Sequence, residues 1–174
     1  MYGRLILQGM LYALVAAGLI SFSAGPAYTH MDPGLALVKL SFSHAGQRKE
    51  DCRKLTPAEI AALPPNMRRP ESCGRERVPL RVELDMDGNT LLRADLSPSG
   101  LASDGVGTVY HRFPVVPGRH EFVARLRDSR RSEGFDYERS AVVKLAPQQN
   151  LAIDFQPDAG GFLFVNGDAE TRAP

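Results

Sequence analysis

Residues 80–96 read LRVELDMDGNTLLRADL, two alternating runs joined by Asp-Gly-Asn. Leu80, Val82, Leu84 and Met86 alternate with Arg81, Glu83 and Asp85, the two-residue period of a strand with one buried face. Asp87-Gly88-Asn89 follows, and Asp-Gly supplies the positive φ that a tight hairpin turn requires. Leu92, Ala94 and Leu96 then resume the alternation. A β-hairpin is expected here, half-buried against something else.

The same period extends in both directions. Upstream, Ala36, Val38, Leu40 and Phe42 alternate with Leu37, Lys39, Ser41 and Ser43. Downstream, residues 98–107 are rich in Ser, Gly and Asp and read as a loop. Residues 109–116 and 121–128 are expected to form a second hairpin around Pro117-Gly118, with Phe122, Ala124 and Leu126 inward. Residues 135–145 alternate again; a turn at 147–150, a strand through Leu151, Ile153 and Phe155, and a last strand at 162–165 complete the pattern. The count is about eight short strands with turns at sandwich spacing. The expected fold class is mainly β: a single N-terminal transmembrane helix followed by an antiparallel β-sandwich with one short helix in a disulfide-pinned loop. The expected division is 1–27 anchor, 28–166 sandwich with an inserted loop at 46–77, and 167–174 a frayed polar tail.

The chain has 174 residues, 43% of them hydrophobic, room for one core and little else. A net charge of +1 creates no basic field, which argues against nucleic-acid binding. Residues 5–22, LILQGMLYALVAAGLISF, carry no charge; as a helix they span about 27 Å, close to the hydrocarbon thickness of a bilayer. A cleaved signal peptide is the competing reading, and cleavage after Ala27 would put Gly25 at −3. The length favours a retained anchor, as does the recurrence of Gly9, Ala13, Ala17 and Ser21 every fourth residue, a small-residue stripe that lets a second membrane helix approach. Arg4 precedes the span and no Lys or Arg follows until Lys39, so the positive-inside rule leaves the N-terminus cytoplasmic and the remainder exported. The expected location is a single-pass inner-membrane protein with its C-terminal domain in the periplasm.

Export sets the reading of Cys52 and Cys73, the only cysteines, as a structural disulfide. They lie 21 positions apart, no C-x-x-C is present, and no histidine lies between them. Between them, Thr56-Pro57-Ala58-Glu59 is a capping box, and Pro64-Pro65 stop the helix after about two turns, too few to stand alone. Arg68, Arg69, Arg75 and Arg77 flank the second half of this loop. Such runs are usually solvated; the alternative is a docking surface for acidic protein or lipid headgroups.

The segment YHRFPVVPGRHEFVARLRD, residues 110–128, resembles the strand, Pro-Gly turn, strand signature of PEGA-like and transthyretin-like sandwich modules of exported bacterial proteins. The layout of anchor, LTPAEIAALPP loop and Pro-Gly turn also resembles small membrane-anchored proteins of proteobacterial respiratory gene neighbourhoods. The resemblance implies a sandwich and a place beside a respiratory complex, and it brings no catalytic residue with it.

Metal chemistry has a thin basis. His30-Met31 and His44 offer imidazole and thioether groups suited to copper, without the spacing of a known site. Asp85-Met86-Asp87-Gly88-Asn89 has its glycine in the wrong position for an EF-hand, no C-x-x-C-H for covalent haem is present, and no G-x-S-x-G elbow accompanies the serines. The expectation is a non-enzymatic accessory or assembly subunit of a membrane complex without a cofactor, partnered through the N-terminal helix and the bilayer. An exported copper-binding protein or chaperone is the alternative.

Overall fold

The computed structural model describes residues 2–25 and 32–172. The chain divides into two units, residues 1–32 and 33–174, a boundary five residues later than the expected one. Among the described residues the first unit holds one helix, α1 (Tyr2–Ser23), with no buried residue. It is long and apolar enough to cross a membrane.

The second unit is a β-sandwich. Its strands are β1 (Ala36–His44), β4 (Leu80–Met86), β5 (Asn89–Leu96), β6 (Gly107–Val115), β7 (Gly118–Arg127), β8 (Tyr137–Leu145), β9 (Asn150–Gln156), β10 (Gly161–Val165) and β11 (Asp168–Arg172); β2 (Arg53–Lys54) and β3 (Glu71–Ser72) form a separate ribbon. One sheet runs β10-β9-β1-β6 and the other β11-β8-β7-β4-β5. All pairings are antiparallel except β1 with β9, where Leu37 faces Asn150 and Leu40 faces Ile153.

The alternation fills the space between the sheets as expected. Ala36, Val38, Leu40 and Phe42 face Leu80, Val82, Leu84, Phe122, Ala124 and Leu126 in one buried cluster. Asp87 (φ 51°) and Gly88 (φ 78°) make the hairpin turn between β4 and β5. Both central residues have positive φ, the turn whose twist matches paired strands.

The second expected hairpin does not form. β6 pairs with β1 and β7 pairs with β4 and β8, so Val116-Pro117 carries the chain from one sheet to the other. A two-residue hairpin needs positive φ at its first central position. Val116, β-branched, is not among the residues with positive φ, and proline has φ locked near −65°. The turn therefore cannot match strand twist and becomes a corner. The expected frayed tail is also replaced over 168–172, where β11 pairs with β8 from Asp168↔Lys144 to Arg172↔Ser140.

The two ends of the sandwich differ. One receives the chain at Leu35 and carries the short turns at 87–88, 116–117 and 146–149; Leu37 N–H donates to Gln149 O (2.9 Å). The other carries the excursion between β1 and β4 and the loops at 97–106, 128–136 and 157–160.

At the short-turn end, His120 locks the corner. Its Nδ1 lies 2.6 Å from Asp87 Oδ2 and its Nε2 lies 2.9 Å from Val116 O. Both partners are acceptors, and a neutral imidazole has one N–H, so the geometry calls for the imidazolium. The hydrogen bond donated to Asp87 raises the His120 pKa above its ordinary value, burial opposes this, and the Val116 carbonyl and the Asp87 charge add to the rise. A raised folded-state pKa gives stability that is complete below the unfolded value of about 6.5 and is lost as pH rises through the folded value. The unfolding midpoint should fall as pH is raised through that window, and His120→Gln should flatten the fall.

Candidate functional site

The far end holds a segment that the core does not explain. Residues 53–72 include no buried residue, and α2 (Pro57–Ala62) buries none. Leu55, Ile60 and Leu63 are only half-buried, and Met67 is 60% exposed. Twenty residues without a core contact would be expected to be loose. Instead this arm is fixed at several points.

Cys52 and Cys73 are bonded at its base, and β2 and β3 pair beyond them, Arg53 with Ser72 and Lys54 with Glu71. Leu55 N–H donates to Pro70 O (2.8 Å). Thr56 caps α2: the Glu59 amide donates to its Oγ1 (3.3 Å), and its own amide donates to Glu59 Oε2 (2.8 Å). Arg53 Nη1 lies 2.9 Å from Glu59 Oε1. The Thr56 amide, then its hydroxyl and Arg53, hold the Glu59 carboxyl below its ordinary pKa. Beyond the helix, Pro64-Pro65 start a short 3-10 turn to Met67, and Arg68 Nε donates to Leu63 O (3.3 Å).

The neck below the disulfide is docked on neighbouring loops. Val78 N–H donates to Gln47 O (2.9 Å), and Gln47 N–H to Asp128 O (2.7 Å). Lys49 pairs with Glu76 by side chains and backbone. Arg130 reaches Asp51 Oδ1 (2.6 Å), and its amide donates to Gln47 Oε1 (3.1 Å). A Cβ at Gly46 would stand 2.3 Å from Val78 O, so only glycine lets the two chains pass. Beside the neck, His44 Nε2 meets Asp128 Oδ2 (2.7 Å), and the His44 ring lies edge-on to Phe155 at 4.9 Å. Burial pushes the Asp136 carboxyl up, but hydrogen bonds from the Ser129 hydroxyl and from the Asp128 and Ser129 amides, with Arg131, outweigh it and hold it below the ordinary range.

These contacts sort the four expected docking arginines. Arg77 is structural: Nη1 donates to Gly46 O (2.8 Å) and Nε to Asp104 O (3.0 Å). Arg75 pairs with Asp104. Arg68 and Arg69 stand exposed at the tip and, with Lys54, meet no carboxylate among the described residues. No acid lies between Glu59 and Glu71, so the tip is uniformly cationic beside exposed Met67. Lys54 was not singled out from sequence; the charge balance inside the cysteine bracket is the signal that finds it.

Of the residues considered for copper, His30 and Met31 lie outside the described residues, and His44 has its Nε2 taken by Asp128. A Glu71 carboxylate oxygen and both cysteine sulfurs lie within 4.8 Å of one another, but the sulfurs are bonded to each other and cannot ligate as thiolates. Gly9, Ala13, Ala17 and Ser21 are all exposed on α1. The outer face of the five-stranded sheet is occupied with its own charges: Glu83 takes Arg93 (2.8 Å) and Arg81 (3.6 Å), while Arg125 meets Glu138 (3.1 Å) and Asp85. That self-paired face offers a partner little uncompensated charge, in contrast to the arm tip.

Comparison of the chain with family models, curated proteins and solved structures finds no match.

Proposed function

We propose that this chain is a non-enzymatic accessory or assembly subunit of a bacterial membrane complex. Its N-terminal helix is retained in the inner membrane, and its sandwich in the periplasm presents the arm of residues 53–72 to a protein partner. The observation that carries this reading is the fixed but coreless arm. A disulfide, a capping box and four prolines hold in one shape a surface that contributes nothing buried to the domain. Rigidity of that kind reduces the ordering cost of association, which is where it has a physical use. The small-residue stripe of α1 supports a second contact with the same complex, inside the bilayer. The respiratory setting rests on the resemblance in layout.

Native mass in mild detergent tests the subunit reading. The full chain is expected well above its own mass, in company with other membrane proteins, and Gly9→Leu/Ala13→Leu, which roughens the stripe, is expected to weaken that association. A wild-type chain running alone as a monomer rejects it.

A further inference from the structure

We infer that the Cys52–Cys73 disulfide is a site of thiol–disulfide exchange with a protein dithiol, and that its reduction releases the arm; this rests on the reading of the arm as the docking element. The bond closes a segment without a core. Cys52 is exposed and Cys73 half-buried, so an incoming thiolate reaches the Cys52 side more readily. What the bond holds is too small to persist alone: α2 has six residues, far below the length at which an isolated helix is stable, and the ribbon has two residue pairs. The neck, by contrast, has its own ties through Gln47, Lys49, Arg77 and Arg130. Opening the bond therefore frees the arm and leaves the sandwich standing.

The chemistry balances as a two-electron exchange. A thiolate of the reductant attacks Cys52 Sγ, the bond to Cys73 breaks, and Cys73 leaves as a thiolate that takes up a proton. The reductant's second thiol, after losing its proton, attacks the reductant sulfur of the mixed disulfide. Cys52 is expelled and protonated. The reductant ends as a disulfide, and two electrons and two protons have passed to the cysteines.

The full chain in mild detergent is first incubated with reduced glutathione, and the mixed disulfide is mapped by peptide mass. It is expected on Cys52. A second sample is reduced with dithiothreitol, alkylated and digested with trypsin. Cleavage after Arg53, Lys54 and Arg68 is expected to accelerate at least about tenfold, because the arm then opens without unfolding of the domain. Cleavage in the arm should precede that of the remainder of the sandwich, which opens only with the whole domain. The double variant Cys52→Ala/Cys73→Ala, digested without any thiol or alkylation, should show the same arm cleavage. Glutathione on Cys73 in place of Cys52, absence of a mixed disulfide, or an arm that resists trypsin in both reduced and variant chains overturns the inference. Digestion needs no partner, so these results stand apart from the docking role. An arm that opens while the chain keeps its place in the complex upholds the exchange site and rejects the docking reading instead.

Discussion

Replacing Phe162 with alanine should lower the stability of the sandwich by about 3–5 kcal/mol, the range for large-to-small changes of a buried phenylalanine. Phe162 is fully buried on β10, and its ring lies 5.1 Å from Phe155 and 5.9 Å from Phe42, both edge-on. Phe155 in turn stands 5.0 Å from Tyr137 of the opposite sheet. One ring therefore supports a cluster that ties β1, β9 and β10 to β8. The site has little capacity to close over a cavity, because Arg139 Nη1 donates to Phe162 O (2.9 Å) and holds the backbone where it is. Domains of this size are stable by about 5–15 kcal/mol in total, so the loss is a large fraction of the whole. Denaturant unfolding of the full chain reads it directly. Tyr110→Ala, at a residue 59% exposed, provides the matched control and should change little. A Phe162→Ala effect below about 1 kcal/mol would contradict the packing described.

Loss of the Cys52–Cys73 bond should cost the folded domain about 3 kcal/mol, from the entropy that a cross-link of this loop length removes from the unfolded chain. The native side of the balance changes less, because the neck keeps residues 47–51 close to 74–78 whether or not the sulfurs are joined. The effect should appear in unfolding of the whole domain and be equal for reduction and for Cys52→Ala/Cys73→Ala. A domain equally stable with the bond open would mean that the neck alone already restricts the unfolded chain.

Much of this fold was legible because its signals are local. The two-residue period in Leu80–Met86 and Ala36–Phe42 placed the inward faces, Asp87-Gly88 placed a turn, and Thr56 with Glu59 placed a cap; each depends only on residues a few positions apart. What failed depends on distant partners. Pro117-Gly118 signals a turn in either a hairpin or a corner, and the alternative was decided by β1, whose Ala36 faces Val115. The parallel join of β1 with β9 has no local signature at all. β11, with the sequence DAETR, shows no apolar alternation because it is an edge strand, and so it read as tail. The same limit applied to the arm. Its staple and its helix were legible, while the division of its arginines was not: Arg77 is turned to structure by Gly46 and Asp104, and Arg75 by Asp104, through a loop about 30 positions away.

The most direct test of the arm as a docking element is the native mass of the full chain in mild detergent, measured for wild type beside Arg68→Glu/Arg69→Glu. Both residues are exposed and meet no carboxylate among the described residues, and Arg68 gives up one hydrogen bond to Leu63 O, so the sandwich should be untouched, as unchanged circular dichroism would verify. The wild-type chain is expected to sediment within a larger membrane assembly, and the reversed tip is expected to release it from that assembly. A reversed variant that stays in the assembly at wild-type stoichiometry would rule the arm out as the docking element.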